Sequence, residues 1–458
     1  MKTENKKYKD SGIPWMPTIP DTWTVQRGKN ILVLNKRPVR ESDEVVTCFR
    51  DGEVILRSER RTEGFTMSDK EIGYQGINKG DIVIHGMDGF AGSMGVSKST
   101  GKGSPVLVVC SPKYDAVPQF IIYYLRTLAM TDVFIALSTG IRERSCDLRW
   151  NKIAELQFAL PSSNIQHRIA DFLDRKCAEI DELAALQETM IAELKRYKQS
   201  VITEAVTKGL DKNVKMKDSA SRAQKCACTN SAEAQPILER KFNDSGVEWI
   251  GEIPEGWEVC RLKQVTSKIG SGSTPTGGSN VYSKEGVKFI RSQNVYCEGF
   301  NLDDIVFISS EIDEMMKNTR VQINDILFNI TGGSIGRCRF VDNTLGPANV
   351  NQHVCIIRPK NIQTKFLFYY LQSSIGQNQV QVLQTGGNRE GLSASAFGLF
   401  KILLPPLSEQ QAIADYLDEK CSEIDELIAI KQQKIEQLKE YKKSVIFEYV
   451  TGKKEVEG

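Results

Sequence analysis

Ile169-Ala-Asp-Phe-Leu-Asp174 returns 244 residues further on as Ile413-Ala-Asp-Tyr-Leu-Asp418. The match continues without gaps through Lys176-Cys-Ala-Glu-Ile-Asp-Glu-Leu183 and Lys420-Cys-Ser-Glu-Ile-Asp-Glu-Leu427. It ends in Tyr197-Lys-Gln-Ser-Val-Ile202 and Tyr441-Lys-Lys-Ser-Val-Ile446. About 25 of some 42 aligned positions are identical, which marks a structural repeat. In the first copy apolar residues fall at Ile169, Leu173, Ile180, Leu183, Met190, Leu194, Tyr197 and Val201. Steps of three and four, broken only by Lys176 and Gln187, give a helix one apolar face. The second copy places Ile413, Leu417, Ile424, Leu427, Leu438, Tyr441 and Val445 in the same way, interrupted by Lys431 and Lys434. Neither run contains Gly or Pro, and Pro161 and Pro405-Pro406 stand just upstream as helix starts. Forty helical residues make a rod of roughly 60 Å. Each stripe needs cover from water and the copies match, so the two helices are expected to pair, antiparallel, about an approximate twofold axis. Packing of each helix on its own half alone is the alternative.

A second repeat opens each half. Asp10-Ser-Gly-Ile-Pro-Trp15 and Ile19-Pro-Asp-Thr-Trp23 recur as Asp244-Ser-Gly-Val-Glu-Trp249 and Ile253-Pro-Glu-Gly-Trp257. Between the opening motif and the helix lies a variable block of roughly 130 residues. The blocks read as α/β with short strands. Gly80-Asp-Ile-Val-Ile84 and Asn324-Asp-Ile-Leu-Phe328 look like buried strands entered by a turn. Phe120-Ile-Ile-Tyr-Tyr-Leu125 and Phe366-Leu-Phe-Tyr-Tyr-Leu371 occupy equivalent places and read as short helices. The polar, aperiodic stretch from Lys212 to Lys241 reads as a linker inserted between the halves.

Bulk composition agrees with a multidomain protein. The chain has 458 residues, 40% hydrophobic and 26% charged, which is too long for one ordinary core. No apolar run reaches the roughly 18 residues a membrane span needs, and Met1 to Asp10 is lysine-rich without an apolar stretch. A cytoplasmic protein is the expectation. Eleven scattered cysteines lack the paired spacing of a zinc site and read as free thiols. A net charge of only +2 argues against indiscriminate coating of nucleic acid, unless positive charge gathers on a few surfaces.

No catalytic constellation emerges. Gly101-Lys-Gly-Ser104 echoes a phosphate loop, but Val96 stands where the loop needs Gly and Gly103 where it needs Ser or Thr. Leu404-Pro-Pro-Leu407 lacks the polar and aromatic residues of an amino-methyltransferase loop and reads as a helix start. His85, His167 and His353 have no recognisable catalytic neighbours, and His353 reads as a hydrogen-bonded structural residue. Recognition is better supplied. The glycine-rich loops His85–Gly95 and Thr331–Arg337 follow the two buried strands, and their glycines permit close approach to another surface. From them come Met87, Ser93, Thr331, Ser334 and Arg337 as candidate DNA contacts. Arginine and amide side chains suit groove readout, which adds Arg57, Arg60, Arg61, Arg142 and Arg144 in the first block. The second block adds Arg291, Gln293, Asn294, Asn388 and Arg389. Each alternatively reads as a solvated surface group, and each loop as a plain hairpin turn.

Taken together these pieces resemble the specificity subunit of type I restriction-modification enzymes. The residues that carry the resemblance are Asp325-Ile-Leu-Phe-Asn-Ile-Thr-Gly-Gly-Ser-Ile-Gly-Arg337, Asn351-Gln-His-Val354 and Asp147-Leu-Arg-Trp-Asn-Lys152. The helix openings Ala170–Asp174 and Ala414–Asp418 and the duplicated Asp-Ser-Gly motif carry it further. The resemblance implies an α+β protein with two α/β target-recognition domains in pseudo-twofold arrangement, separated by two long antiparallel coiled-coil helices. Its boundaries would be 1–160 and 244–404 for the recognition domains, 161–210 and 405–458 for the spacer helices, and 211–243 for the insert. It further implies a non-catalytic chain that reads a bipartite double-stranded DNA site and docks two methyltransferase subunits and the motor-nuclease restriction subunits. S-adenosylmethionine, ATP and magnesium would belong to those partners, with no cofactor on this chain. A protein-interaction scaffold with no DNA preference is the competing expectation.

Overall fold

The computed structural model describes residues 7–60, 72–136, 148–210, 240–383 and 391–456. They divide into two compact units. One comprises Met1–Glu188 with Gln432–Gly458, the other Thr189–Lys431.

The first unit is built on a four-stranded antiparallel sheet. Its strands are β1 (Leu32–Leu34), β2 (Ile82–His85), β3 (Met94–Val96) and β4 (Leu107–Pro112), in the order β1-β4-β2-β3. Helix α1 (Pro118–Met130) covers one face and buries Phe120, Ile121, Tyr124 and Leu125. Pro118 at its first turn supplies a preset φ and lacks only an N–H that the helix would leave unpaired. Helix α2 runs from Ser163 to Lys208 and enters the second unit after Glu188.

The second unit repeats the plan. Strand β5 (Thr266–Ser271) starts its main sheet. Strand β6 (Val287–Ile290) belongs to a small side sheet, followed by β7 (Ile326–Asn329), β8 (Cys338–Phe340), β9 (Ala348–Val350) and β10 (Val354–Pro359). The main order is β5-β10-β7-β8, all antiparallel, while β6 and β9 pair in parallel. Helix α3 (Thr364–Gln372) stands where α1 stands in the first unit, and α4 runs from Leu407 to Val450. Both strand and both short-helix expectations hold.

The strand-entry turns explain why β2 and β7 sit where they do. Gly80 (φ 92°) and Asn324 (φ 69°) each adopt the left-handed conformation, which Gly and Asn tolerate best. The following aspartates close the turn. Asp81 Oδ2 accepts from Asn78 N–H at 2.7 Å, and Asp325 Oδ2 accepts from Gln322 N–H at 2.7 Å. Each buried carboxylate then takes an arginine: Arg37 for Asp81, and Arg358 for Asp325 at 2.7 and 2.8 Å.

The long helices attach to their units through duplicated contacts. Gln166 donates to Pro161 O (2.9 Å) and accepts from Val117 N–H (3.0 Å), joining the start of α2 to the start of α1. Gln410 does the same with Pro405 O (2.7 Å) and Gln363 N–H (2.8 Å). The phenols of Tyr123 and Tyr369 donate to Asp174 and Asp418, each at 2.7 Å. Burial, with these carboxylates next, pushes both phenols far above their ordinary titration range.

Helix pairing is antiparallel within each unit. In the first, Lys442 Nζ reaches both oxygens of Asp181 (2.7 and 2.6 Å), and Phe172 stacks on Tyr449 with centroids 4.4 Å apart. In the second, Lys198 reaches both oxygens of Asp425 at 2.7 Å. The two ion pairs are copies of each other under the repeat. The stripe is less fully covered than its periodicity suggests. Ile169, Leu173, Ile413 and Leu417 are buried, yet Leu183, Tyr197, Leu427 and Tyr441 are about half exposed. Near both ends the helices also have a unit's core alongside, which buries Ile202, Val206, Ile446 and Val450; along the middle turns a pair of helices covers only one strip of each.

Burial sets the state of the thiols. It pushes Cys48, Cys110 and Cys355 up to about 12 and Cys421 to about 11, which keeps them protonated rather than nucleophilic at neutral pH. Among the described residues no helix is long and apolar enough to cross a membrane, and no cluster of three His, Cys, Asp or Glu could hold a metal.

Candidate nucleic-acid interface

Antiparallel pairing brings particular loops to one end of each sheet. In the second unit β5 and β7 end where β10 begins, and the parallel strands β6 and β9 also end there, Asn351 N–H bonding Ile290 O at 3.1 Å. The segments that gather are Gly272–Thr274, Arg291–Asn294, Thr331–Ser334 and Asn351–His353. The glycine-rich segment is a hairpin connection from β7 to β8 with a single 3-10 turn at Gly332–Ser334. In the first unit β2 and β3 form the matching hairpin, with a 3-10 turn at Gly89–Ala91. Met87 and Thr331 occupy equivalent places, two residues past the strand end.

Candidate residues separate into those turned inward and those left facing out. Asn294 is fully buried; it accepts from Arg291 N–H (2.9 Å) and donates to Asn301 O (2.9 Å) and Asp304 (3.2 Å). Arg291 donates to Asp304 O at 2.7 Å, and Gln293 binds the Asp304 carboxylate. One acid thus occupies all three, so they brace the turn after β6. Ser93, 1% exposed, is likewise inside the first hairpin. Arg57 donates to Thr47 (3.3 Å), while Arg60 pairs with Asp51 (2.6 Å) and Glu53 (3.2 Å) over the Phe49 ring. Thr331 contacts His353 (2.7 Å), and Ser334 O accepts from Arg337 N–H (3.2 Å). Arg337 stacks on Tyr296 at 4.9 Å, with no carboxylate in salt-bridge range among the described residues. Met87 is 55% exposed. Arg61, Arg142, Arg144, Asn388 and Arg389 lie outside the described residues. The chain returns from 137–147 at Leu148, whose N–H bonds Gly86 O (2.9 Å), and from 384–390 at Gly391, bridged to Thr331. Leu148 and Gly391 thus each stand beside a glycine-rich hairpin.

Two neighbours absent from the candidate set, Thr274 and Gln352, also reach this end of the second unit. For Gln352 the sequence signal was the polar run Asn349-Val-Asn-Gln-His-Val354 leading into an apolar run; Thr274 had none. The first unit differs in chemistry. His85 Nδ1 accepts from Asp88 N–H at 3.0 Å, and burial, opposed by Asp88 and aided by Arg50, lowers its proton affinity. The unfolded chain therefore binds this proton first as pH falls. Stability present above about pH 6.5 should drain away below it, and His85→Gln should flatten that dependence. Equal slopes of unfolding free energy against pH for His85→Gln and wild type would contradict the assignment.

Comparison with known proteins places these features. Residues 254–440 match the profile described as the type I restriction modification DNA specificity domain. The type I restriction enzyme MjaVIII specificity subunit of Methanocaldococcus jannaschii is 25% identical over 449 residues, covering 95% of this chain and 93% of that protein. The EcoKI specificity subunit of Escherichia coli is 26% identical over 215 residues, 44% of each chain. A solved chain from work on complex assembly and conformational transition of the type I R-M system shares the fold. Its TM-score is 0.69 at 15% identity, over 95% of this chain and 99% of that one. Duplicated halves, matched hairpins and these likenesses agree: the chain is similar to the specificity subunits of type I restriction-modification systems, and its second half carries their DNA specificity domain profile.

Proposed function

We propose that the chain is the non-catalytic DNA reader of its system, each unit meeting one half of a split double-stranded target through its loop end. The observation that carries this reading is the contrast between shared scaffold and unlike loops. Strand order, turn aspartates, helix clamps and hairpin position coincide, while Met87 and Thr331, or Pro105-Val106 and Gln352-His353, differ. Two unlike readers give an asymmetric site.

The helices support docking of two copies of one partner. Exposed residues have no packing reason to match, yet Glu182-Leu183 and Ala185 recur as Glu426-Leu427 and Ala429, and Tyr197 as Tyr441. Leu183 (48%) and Leu427 (46%) are exposed apolar residues of the kind that mark interfaces. Two methyltransferase subunits fit this duplication, and they would carry S-adenosylmethionine. Restriction subunits would add ATP and magnesium. The test is a DNA-binding titration with methyltransferase present, at stated salt. A sequence-dependent affinity supports the reading, no preference favours a scaffold, and turnover of nucleic acid by the chain alone favours an enzyme.

A further inference from the structure

At the loop end of the second unit one imidazole joins three loops. Thr331 Oγ1 lies 2.7 Å from His353 Nδ1, and Gln352 Nε2 lies 3.1 Å from His353 Nε2. Thr274 donates its hydroxyl to Gln352 Oε1. The backbone holds the ring in place: His353 N–H donates to Asn351 Oδ1 (3.1 Å), and His353 O accepts from Ile330 N–H (3.0 Å). Thr274 can come this close because of Gly272, where a Cβ would stand 1.9 Å from Val350 O.

The orientation of the Gln352 amide sets the direction of these hydrogen bonds. Gln352 turns its oxygen to Thr274, so its NH2 faces the ring and donates. His353 Nε2 therefore accepts, which leaves Nδ1 to carry an N–H aimed at Thr331 Oγ1. Having accepted there, Thr331 keeps its own hydroxyl hydrogen, and Gln352 keeps the second hydrogen of its NH2. Neither makes a further hydrogen bond among the described residues. Gln352 is exposed and Thr331 half-buried. The first unit has no counterpart: Met87 replaces Thr331, and Pro105-Val106 precede β4 where Gln352-His353 precede β10.

We propose that His353 is a positioning residue that sets this patch to donate, so that the second unit meets hydrogen-bond acceptors of the DNA there. Those acceptors are purine N7 on a base edge or a phosphate oxygen. The inference rests on the DNA reading above.

The test uses the full chain with its methyltransferase partner and a duplex carrying the mapped target. One series replaces each purine by its 7-deaza analogue; another replaces single phosphates by methylphosphonate. One or two substitutions, confined to one half-site, should weaken wild-type binding by roughly 3- to 10-fold, the range of one hydrogen bond. Thr331→Val, which keeps its shape and drops only the hydroxyl, and Gln352→Glu should lose that sensitivity, with the other half-site unchanged. A 7-deaza response locates the acceptor on a base, and a methylphosphonate response on the backbone; either supports the inference. It is overturned if no substitution matters, if the sensitivity survives in both variants, or if the position responds instead to removal of a base amino group. Wild-type binding without any sequence preference would sink the DNA reading and this inference with it.

Discussion

Asp325→Ala should lower the stability of the second unit by about 3 kcal/mol, near the bottom of the range for breaking a buried ion pair. Asp325 has no exposed surface, accepts from Gln322 N–H, and receives two hydrogen bonds from Arg358. Removing the carboxylate strands a guanidinium and opens the turn that starts β7. The cost falls toward the lower limit because a quarter of the Arg358 side chain already touches water. Hydrogen exchange of amides in β7 and β10 reads the effect within this unit, with β2 and β4 as the internal reference. A loss of only about 0–1 kcal/mol, typical of an exposed pair, would contradict the assignment.

The second large effect is on specificity. Arg337→Ala should relax discrimination in one half-site by about 1–3 kcal/mol, roughly 5- to 150-fold, while the other half-site keeps its preference. Among the described candidate arginines, Arg337 is the one that stacks on Tyr296, and no described carboxylate lies in salt-bridge range of it. Arg337→Lys keeps the charge but not the fork of donors, so it should recover non-specific affinity more than discrimination. Mapping methylated adenines in cells carrying each variant and its partners reads both half-sites at once. An equal loss in both halves would refute the division of labour between the units.

Arg291, Gln293 and Asn294 show why residue type alone could not select the interface. All three are groove-reading types, and all three are occupied by Asp304, which lies ten or more residues along the chain. Thr274, Gln352 and Thr331 show the converse. Separated by up to 78 residues, they become neighbours only because β5, β7 and β10 pair side by side. Leu183 and Tyr197 carry the same lesson for packing: periodicity assigns them to the apolar stripe, but the partner helix does not cover them.

The amino-acid sequence by itself determined the duplication, the two long helices, the buried strands entered at Asp81 and Asp325, and the short helices after them. These are local properties, since repeat identity, apolar period and turn chemistry can be read within a few residues. Which polar side chains face outward was decided only by the tertiary structure. Strand pairing chooses which loops share an end, and hydrogen bonds across those loops choose which donors remain free.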